Sequence, residues 1–415
     1  MASLTAYFNR DARVIGLVCF PHGLSHFYYM VLPPMFGALK AAYGLSFTEL
    51  GLIMSVFAGV AAFGQTPVGF LVDKIGGRQV LICGLLLESI CIGSFGLANS
   101  YWQFLLFGAI AGLGHTVYHP ADFAIMTSLV SNKRMGRAFG IHSFTGYLGF
   151  AAAPVFMTGI TELWHWKAAF LLAGALGLLA AALLWLNSGL LREMGADAGR
   201  PAKTAKSSTA KVGQSEIGRG IKFLLSAPIL ACFLYYVLYQ MGNGGLRTYL
   251  IPALEELYGV APLVAGSILT GLMVGTAGGI LSGGFLAERT GPQIWVACLT
   301  LVPSSILIAL VGSFHMPTIV IGIVITAAGF LMGMLVPSRD LLLRSVTPDG
   351  SMGKVMGFVS TGSNVGGTII PVTLGVIMDH SDPRYIFWIA AGMIAAALFT
   401  FITVKGVATQ QYERK

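Results

Sequence analysis

Charge is what this chain has least of. Asp, Glu, Lys and Arg make up 10% of its 415 residues, where a water-soluble domain carries roughly 25% to cover its outside. The shortage excludes a soluble globule, because 55% of the residues are hydrophobic and too little polar surface is left to face water. Lipid has to cover most of the exterior. Cysteine is scarce too. Cys19, Cys83, Cys91, Cys232 and Cys298 all lie inside apolar runs without Cys-x-x-Cys spacing, which argues against a disulfide framework or a structural zinc site and reads them as small core residues. No His-Glu-x-x-His and no serine-nucleophile motif occurs, so neither enzyme chemistry nor a cofactor is indicated.

What is present is a series of long apolar runs. A bilayer core of about 30 Å needs about 20 apolar residues per helix. That ruler gives spans at 14–39, 46–72, 79–98, 102–130, 137–159 and 166–186, then 223–250, 261–286, 293–312, 316–343, 354–378 and 385–404. The expected fold class is an all-α membrane protein of twelve transmembrane helices in two six-helix halves. The first run follows Arg10 and Arg13 and is too long for a signal-peptide core, so it reads as a retained helix. The formal charge of +8 does not point to nucleic acid, because Lys and Arg sit in short gaps between runs. Nineteen of the 25 fall on the side of the termini, and only Lys40, Lys167 and Arg384 fall in the opposite loops. By the positive-inside rule both termini are cytoplasmic, in a cell (inner) membrane.

Residues 187–222 form the one long hydrophilic stretch and read as a cytoplasmic linker, with a short interfacial helix over Ile217–Leu225. The expected domains are therefore 1–186, the linker 187–222, 223–404 and a tail 405–415. The halves repeat. Gly69-Phe-Leu-Val-Asp73-Lys74-Ile-Gly76 recurs as Gly284-Phe-Leu-Ala-Glu288-Arg289-Thr-Gly291, and Gly136-Arg-Ala-Phe-Gly140 through Pro154 recurs as Gly353-Lys-Val-Met-Gly357 through Pro371. Two matches at nearly one offset, 215 and 217 residues, argue for duplication.

Gly69–Arg78 resembles the loop motif of the major facilitator superfamily, Gly-x-x-x-Asp-Arg/Lys-x-Gly-Arg-Arg, between helices 2 and 3. The degraded copy falls between helices 8 and 9, as in that family. Tyr118-His119-Pro120-Ala121 and Gly146–Pro154 resemble its fosmidomycin-resistance-like subgroup. The resemblance implies a secondary transporter, monomeric, with a central cavity lined mainly by helices 1, 4, 7 and 10 and halves that rock about it. It also implies a cytoplasmic gate: Asp73 facing basic residues and a helix N-terminus, with Arg78, Arg137, Glu288 and Arg289 as the other gate residues. A carboxylate at a positive helix end is favoured by roughly 0.3–1 kcal/mol, weak enough to break in each cycle. Gly271, Gly275, Gly279 and Gly283 on helix 8, with Gly136/Gly140 and Gly353/Gly357 plus Gly362/Gly366 on helices 5 and 11, form bare stripes. The resemblance puts them at the interface between halves; tight static packing is the alternative, and the two are compatible.

An ionisable side chain in a bilayer costs several kcal/mol, so it needs a purpose or a partner. Helix 1 carries His22 and His26, spaced i, i+4 on one face, with Tyr28 and Tyr29 just beyond. Helix 4 carries His115 and His119 at the same spacing, then Asp122. Helix 7 carries Gln240, Asn243 and Arg247, and helix 10 carries Arg339, Asp340 and Arg344. Arg344 lies near enough to the cytoplasmic end to snorkel. His142, Glu88 and Asn364 read as interhelical hydrogen bonds as readily as site residues. Arg247 and Arg339 suit a carboxylate or phosphonate, with His22, His26, Tyr29, His119, Gln240 and Asn243 as further substrate-binding candidates. His115, His119, Asp122 and Asp340 are the candidates for proton coupling, Asp122 pairing with a histidine or with Arg137.

The expected partners are a small organic anion, protons and the lipid bilayer. Two alternatives stay open. The histidines and Asp122 could ligate a transition metal or its chelate, although the arginines would repel a bare cation. Proton-driven efflux of drugs or toxic metabolites fits the subgroup, although helix 4 has no mid-span arginine and helix 5 lacks a full Gly-Pro-x-x-Gly-Gly pattern.

Overall fold

The computed structural model describes residues 2–191, 224–289, 293–347 and 351–413, without the side chains of 2–9, 287–289, 293, 353 and 401–413. The described residues hold helices and no strand. In order they are α1 (Ala2–Tyr29), α2 (Phe36–Tyr43), α3 (Phe47–Ile75), α4 (Gly77–Phe95), α5 (Tyr101–His115), α6 (Tyr118–Leu129), α7 (Met135–Leu163) and α8 (Trp166–Leu186), then α9 (Ala227–Tyr258), α10 (Pro262–Arg289), α11 (Gln293–Ser313), α12 (Thr318–Ser345), α13 (Met352–His380) and α14 (Arg384–Glu413). Nine of the described helical segments are long and apolar enough to cross a membrane. Large apolar side chains cover the outside, with Phe63 84% exposed, as lipid contact requires and water would not tolerate. The tail expected from residue 405 continues α14 as far as Glu413.

Two spans are broken where the sequence reading has them continuous. Span 1 stops at Tyr29, passes through a 3-10 turn at Pro33–Met35 and resumes as α2; two successive prolines have no N–H to give the helix ladder. Span 4 divides into α5 and α6 at Thr116 and Val117. Pro120 is the cause: it donates no hydrogen bond, and its ring collides with the carbonyl four residues earlier, that of Thr116. Thr116 turns back instead, its N–H 3.2 Å and its hydroxyl 2.6 Å from the Leu113 carbonyl.

Contacts group the described residues into two compact units, one running to Leu191 without Ser46–Gly51, the other made of Ser46–Gly51 and the described residues from 224 onward. Of the expected linker, Ser188–Leu191 form a 3-10 turn; positions 192–222, with most of the interfacial helix expected at Ile217–Leu225, lie outside the described residues. Each unit repeats the other's packing: α1 lies on α7 and α4 on α8 in the first, α9 on α13 and α11 on α14 in the second. Helices α7 and α13 are both 29 residues long with an internal proline, Pro154 and Pro371. Between α3 and α4 the loop motif turns on Gly76, whose φ of 89° and ψ of 145° are open only to glycine.

The glycine stripe of helix 8 packs on α12. A Cβ on Gly275, Gly279 or Gly283 would fall on the carbonyls of Thr326, Phe330 or Met334, all on α12. The stripe lets α10 and α12 touch backbone to backbone inside the second unit, the tight static packing that is one of the two readings. Gly136, Gly140 and Gly357 face open space. The five cysteines are free, but only Cys19, Cys91 and Cys232 are buried; Cys83 is exposed and Cys298 half-buried.

Candidate functional site

The first unit's polar site grows out of a helix crossing. A Cβ on Gly149 of α7 would land on the carbonyl of Gly23 of α1, and one on Gly23 would come within 2.9 Å of the Thr145 carbonyl. Only paired glycines let two backbones approach this closely. The crossing carries the neighbours of Gly23 with it. His22 stacks on His142 of α7 at 3.4 Å between ring centroids, and His26 meets His22 edge-on at 4.6 Å. Gly146 makes room for both, since its Cβ would lie 3.1 Å from His26 Nε2 and 3.2 Å from His22 Nε2.

Helix α6, restarted by the break, supplies the other members. Asp122 has no exposed surface, and its Oδ2 lies 3.0 Å from His142 Nε2 and 3.2 Å from His22 Nδ1. The His22 nitrogen is at ion-pair distance but off the line of a hydrogen bond, and Asp122 Oδ1 and His26 Nδ1 are buried without a hydrogen-bond partner. His119, exposed, stands 5.4 Å from the His22 ring. One ring nitrogen from each of His22, His119 and His142 lies within 4.8 Å of the other two. These histidines and Asp122 could hold a metal; with a carboxylate among the rings they could equally hold a proton.

His115 goes elsewhere, against the expectation that its i, i+4 spacing keeps it beside His119. The break turns it to Glu88 of α4, with Nδ1 2.9 Å from Oε1, and Tyr118 donates to the other oxygen at 2.6 Å. Glu88 has no exposed surface, so this trio is a second buried carboxylate site. Tyr29 belongs with it, 5.9 Å from the His115 ring. Asp122 pairs with histidines and not with Arg137, which is exposed. The basic residue held at that end of the unit is Arg134, 3.1 Å from Asp11 of α1; the same Asp11 oxygen accepts from the Ser131 hydroxyl at 2.8 Å.

In the second unit, Asp340 Oδ1 accepts from Arg339 Nε at 2.9 Å and lies 2.8 Å from Nη2, while the Arg339 guanidinium carbon sits 4.7 Å from the centre of the Tyr236 ring. Seven residues along α9, an arginine and a glutamine share a face: Arg247 Nη2 donates to Gln240 Oε1 at 3.5 Å. Asn243 Oδ1 is buried without a hydrogen-bond partner. Of the gate residues, Asp73 is exposed in the last turn of α3 and Arg78 half-buried in the first turn of α4. Glu288 and Arg289 end α10, their side chains outside the described residues.

The sequence leaves His142 and Glu88 open between an interhelical hydrogen bond and a site role; in the structure each bonds across helices, His142 to Asp122 and Glu88 to His115 and Tyr118. Pro120 was the available signal, because a proline in mid-span announces a break that reorients everything before it.

Comparison with known proteins gives a consistent picture. The model of the Major Facilitator Superfamily matches residues 18–338 and 232–413. The fosmidomycin resistance protein of Escherichia coli K12 is 23% identical over 409 residues, 96% of this chain and 94% of its own length. The multidrug resistance protein MdtG of Citrobacter koseri is 24% identical, over 93% of this chain and 92% of its own length. The probable L-galactonate transporter of Escherichia coli K12 is 27% identical over 143 residues, so the chain aligns with only about a third of it, 32%. Among solved structures, a bacterial homologue of the human lysosomal transporter Spinster superposes with a TM-score of 0.75 at 17% identity, over 96% of this chain and 97% of that one. A point mutant of the nucleoside transporter NupG gives 0.76 at 14%, over 94% and 99%. With the family model matched across nearly the whole chain and the fold shared with solved transporters, this multi-pass membrane protein is a transporter and not an enzyme, and it belongs to the Major Facilitator Superfamily.

Proposed function

We propose that the chain moves a small organic anion, of carboxylate or phosphonate type, across the inner membrane by alternating access coupled to protons, as a monomer with both termini cytoplasmic. The observation that carries the anion reading is the pair of guanidinium groups within membrane helices, Arg247 on α9 and Arg339 on α12. Arg stays charged when buried and costs several kcal/mol in a bilayer, so two of them need a purpose. Asp340 and the Tyr236 ring fix the Arg339 plane and occupy roughly two of its five N–H donors, leaving a fork for a carboxylate. The name of the L-galactonate relative, a sugar carboxylate, points the same way. For coupling, the strongest support is Glu88: a carboxylate shared between His115 and Tyr118 inside the membrane is built to hold and release a proton. Asp340, committed to Arg339, is better suited to positioning.

The test is a thermal-shift screen of the purified protein against sugar acids, mono- and dicarboxylates and phosphonates, each beside its neutral analogue. Stabilisation by an anion that vanishes in Arg247→Ala and Arg339→Ala supports the reading, and anion stabilisation indifferent to both sinks it. In proteoliposomes with an imposed pH gradient, uptake should follow the gradient and lose that dependence in Glu88→Gln. Uptake that ignores the gradient in the unaltered protein would remove protons from the account.

The names of two relatives favour efflux of drugs or toxic metabolites as a second reading. Accumulation in inverted vesicles and not in right-side-out ones would select it.

A further inference from the structure

The imidazole cluster carries more than the transport reading uses. Three rings from α1, α6 and α7 each bring a nitrogen to within 4.8 Å of the others. A tetrahedral ion with bonds of about 2.05 Å needs nitrogens about 3.3 Å apart, so each would move inward by less than about 1 Å, within reach of small ring rotations. Part of the support such a site needs behind its ligands is already there. Metal-bound histidines pass their second nitrogen to a carboxylate, and Asp122 Oδ2 stands 3.0 Å from a nitrogen of His142 and 3.2 Å from one of His22. Each ring has two nitrogens, so holding Asp122 leaves one free for an ion. Asp122 Oδ1, on a residue with no exposed surface, has no hydrogen-bond partner, and a buried polar atom left so calls for an explanation that an ion with its bound water would supply. Entry is provided by His119, the exposed member of the three.

We propose that His22, His119 and His142, with Asp122 behind His142 and His22, bind a divalent transition-metal ion of the zinc, cobalt or nickel class. Imidazole nitrogen selects these over magnesium and calcium, which take oxygen ligands, and over copper(I), which prefers thiolate and thioether. Three protein nitrogens leave the fourth position of the ion open, for water or for a carboxylate. The site goes beyond the anion-transport reading and stands or falls without it, because equilibrium binding reads it with no transport step.

The experiment uses the full-length protein in detergent, its tag removed and its metals stripped by chelator. Calorimetric titration with zinc should show one ion per chain at micromolar affinity or tighter. Cobalt should give the intense visible bands of a four-coordinate ion. His119→Ala, an exposed change with little consequence for folding, should weaken zinc at least tenfold. His22→Ala with His142→Ala should abolish binding, while His165→Ala and His315→Ala, outside the cluster, leave it unchanged. Excess magnesium should not compete. No saturable zinc binding to the unaltered protein overturns the proposal. So does one-to-one binding that His119→Ala and the double variant leave intact, for the ion then lies elsewhere.

Discussion

The crossing of α1 with α7 and the crossing of α9 with α13 are one device used twice. Gly149 and Gly366 stand at the same place in the repeat, 217 residues apart. A Cβ on Gly149 would meet the Gly23 carbonyl, and one on Gly366 would come within 2.6 Å of the Val237 carbonyl. The side chains around the two crossings have parted company. His142 corresponds to Val359, fully buried, and Gly146 to Ser363. The first unit surrounds its crossing with imidazoles and a carboxylate, groups whose charge can change. The second carries guanidiniums, whose charge is fixed. Duplication preserved the backbone contact that makes a helix pair possible in lipid and left the chemistry free to diverge.

The largest effect should come from breaking the shared part. Gly149→Leu and Gly366→Leu each force a side chain into a backbone, and overpacking of this kind costs on the order of 3 kcal/mol. Both variants should lose most of their folded yield or melt well below the unaltered protein in detergent. A Gly149→Leu protein with an unshifted midpoint would show that the close approach of α1 and α7 is not what holds the first unit together.

An intermediate effect separates the two chemistries. Glu88→Ala strips partners from His115 and Tyr118 inside the membrane, and stranded buried donors cost about 2 kcal/mol. Glu88→Gln keeps an acceptor for Tyr118 and should recover at least half of the lost thermal stability. If alanine and glutamine behave alike, hydrogen bonding at Glu88 contributes nothing to the fold.

These contrasts also mark what could be read without coordinates. Hydrophobic run length yields the twelve spans, because bilayer thickness dictates it, and the repeat is plain in Gly69–Gly76 and Gly136–Pro154. The polar residues of spans 1, 4, 7 and 10 stand out because lipid would reject them. What spacing cannot supply is the identity of the facing helix. His115 and His119 share a helical interval yet part company, His115 turning to Glu88 and His119 standing beside the His22 ring, since Pro120 breaks the ladder between them. The stripe from Gly271 to Gly283 announces close packing but not α12 as its partner. Asp11, in the N-terminal stretch, gave no sign that it would be buried against Ser131 and Arg134, because that contact spans 120 residues of sequence.

The finest test transplants one residue of the second crossing into the first. Gly146→Ser installs what the repeat has at Ser363, where the fold demonstrably accepts it. In the first unit the new Cβ would sit 3.1 Å from His26 Nε2 and 3.2 Å from His22 Nε2, tighter than ordinary contact, so both rings must tilt by a few tenths of an ångström. The cost of pushing a side chain off its preferred torsion is about 0.5–1.5 kcal/mol, well below that of Gly149→Leu. The midpoint should therefore fall only slightly, while the tilted His22 loses its alignment with Asp122 and His142. A small thermal change joined to a severalfold loss of zinc affinity would show that the crossing bears the fold and the rings bear the chemistry. A variant that melts as badly as Gly149→Leu would instead mean that Gly146 belongs to the crossing itself, and that the room it leaves for imidazole is incidental.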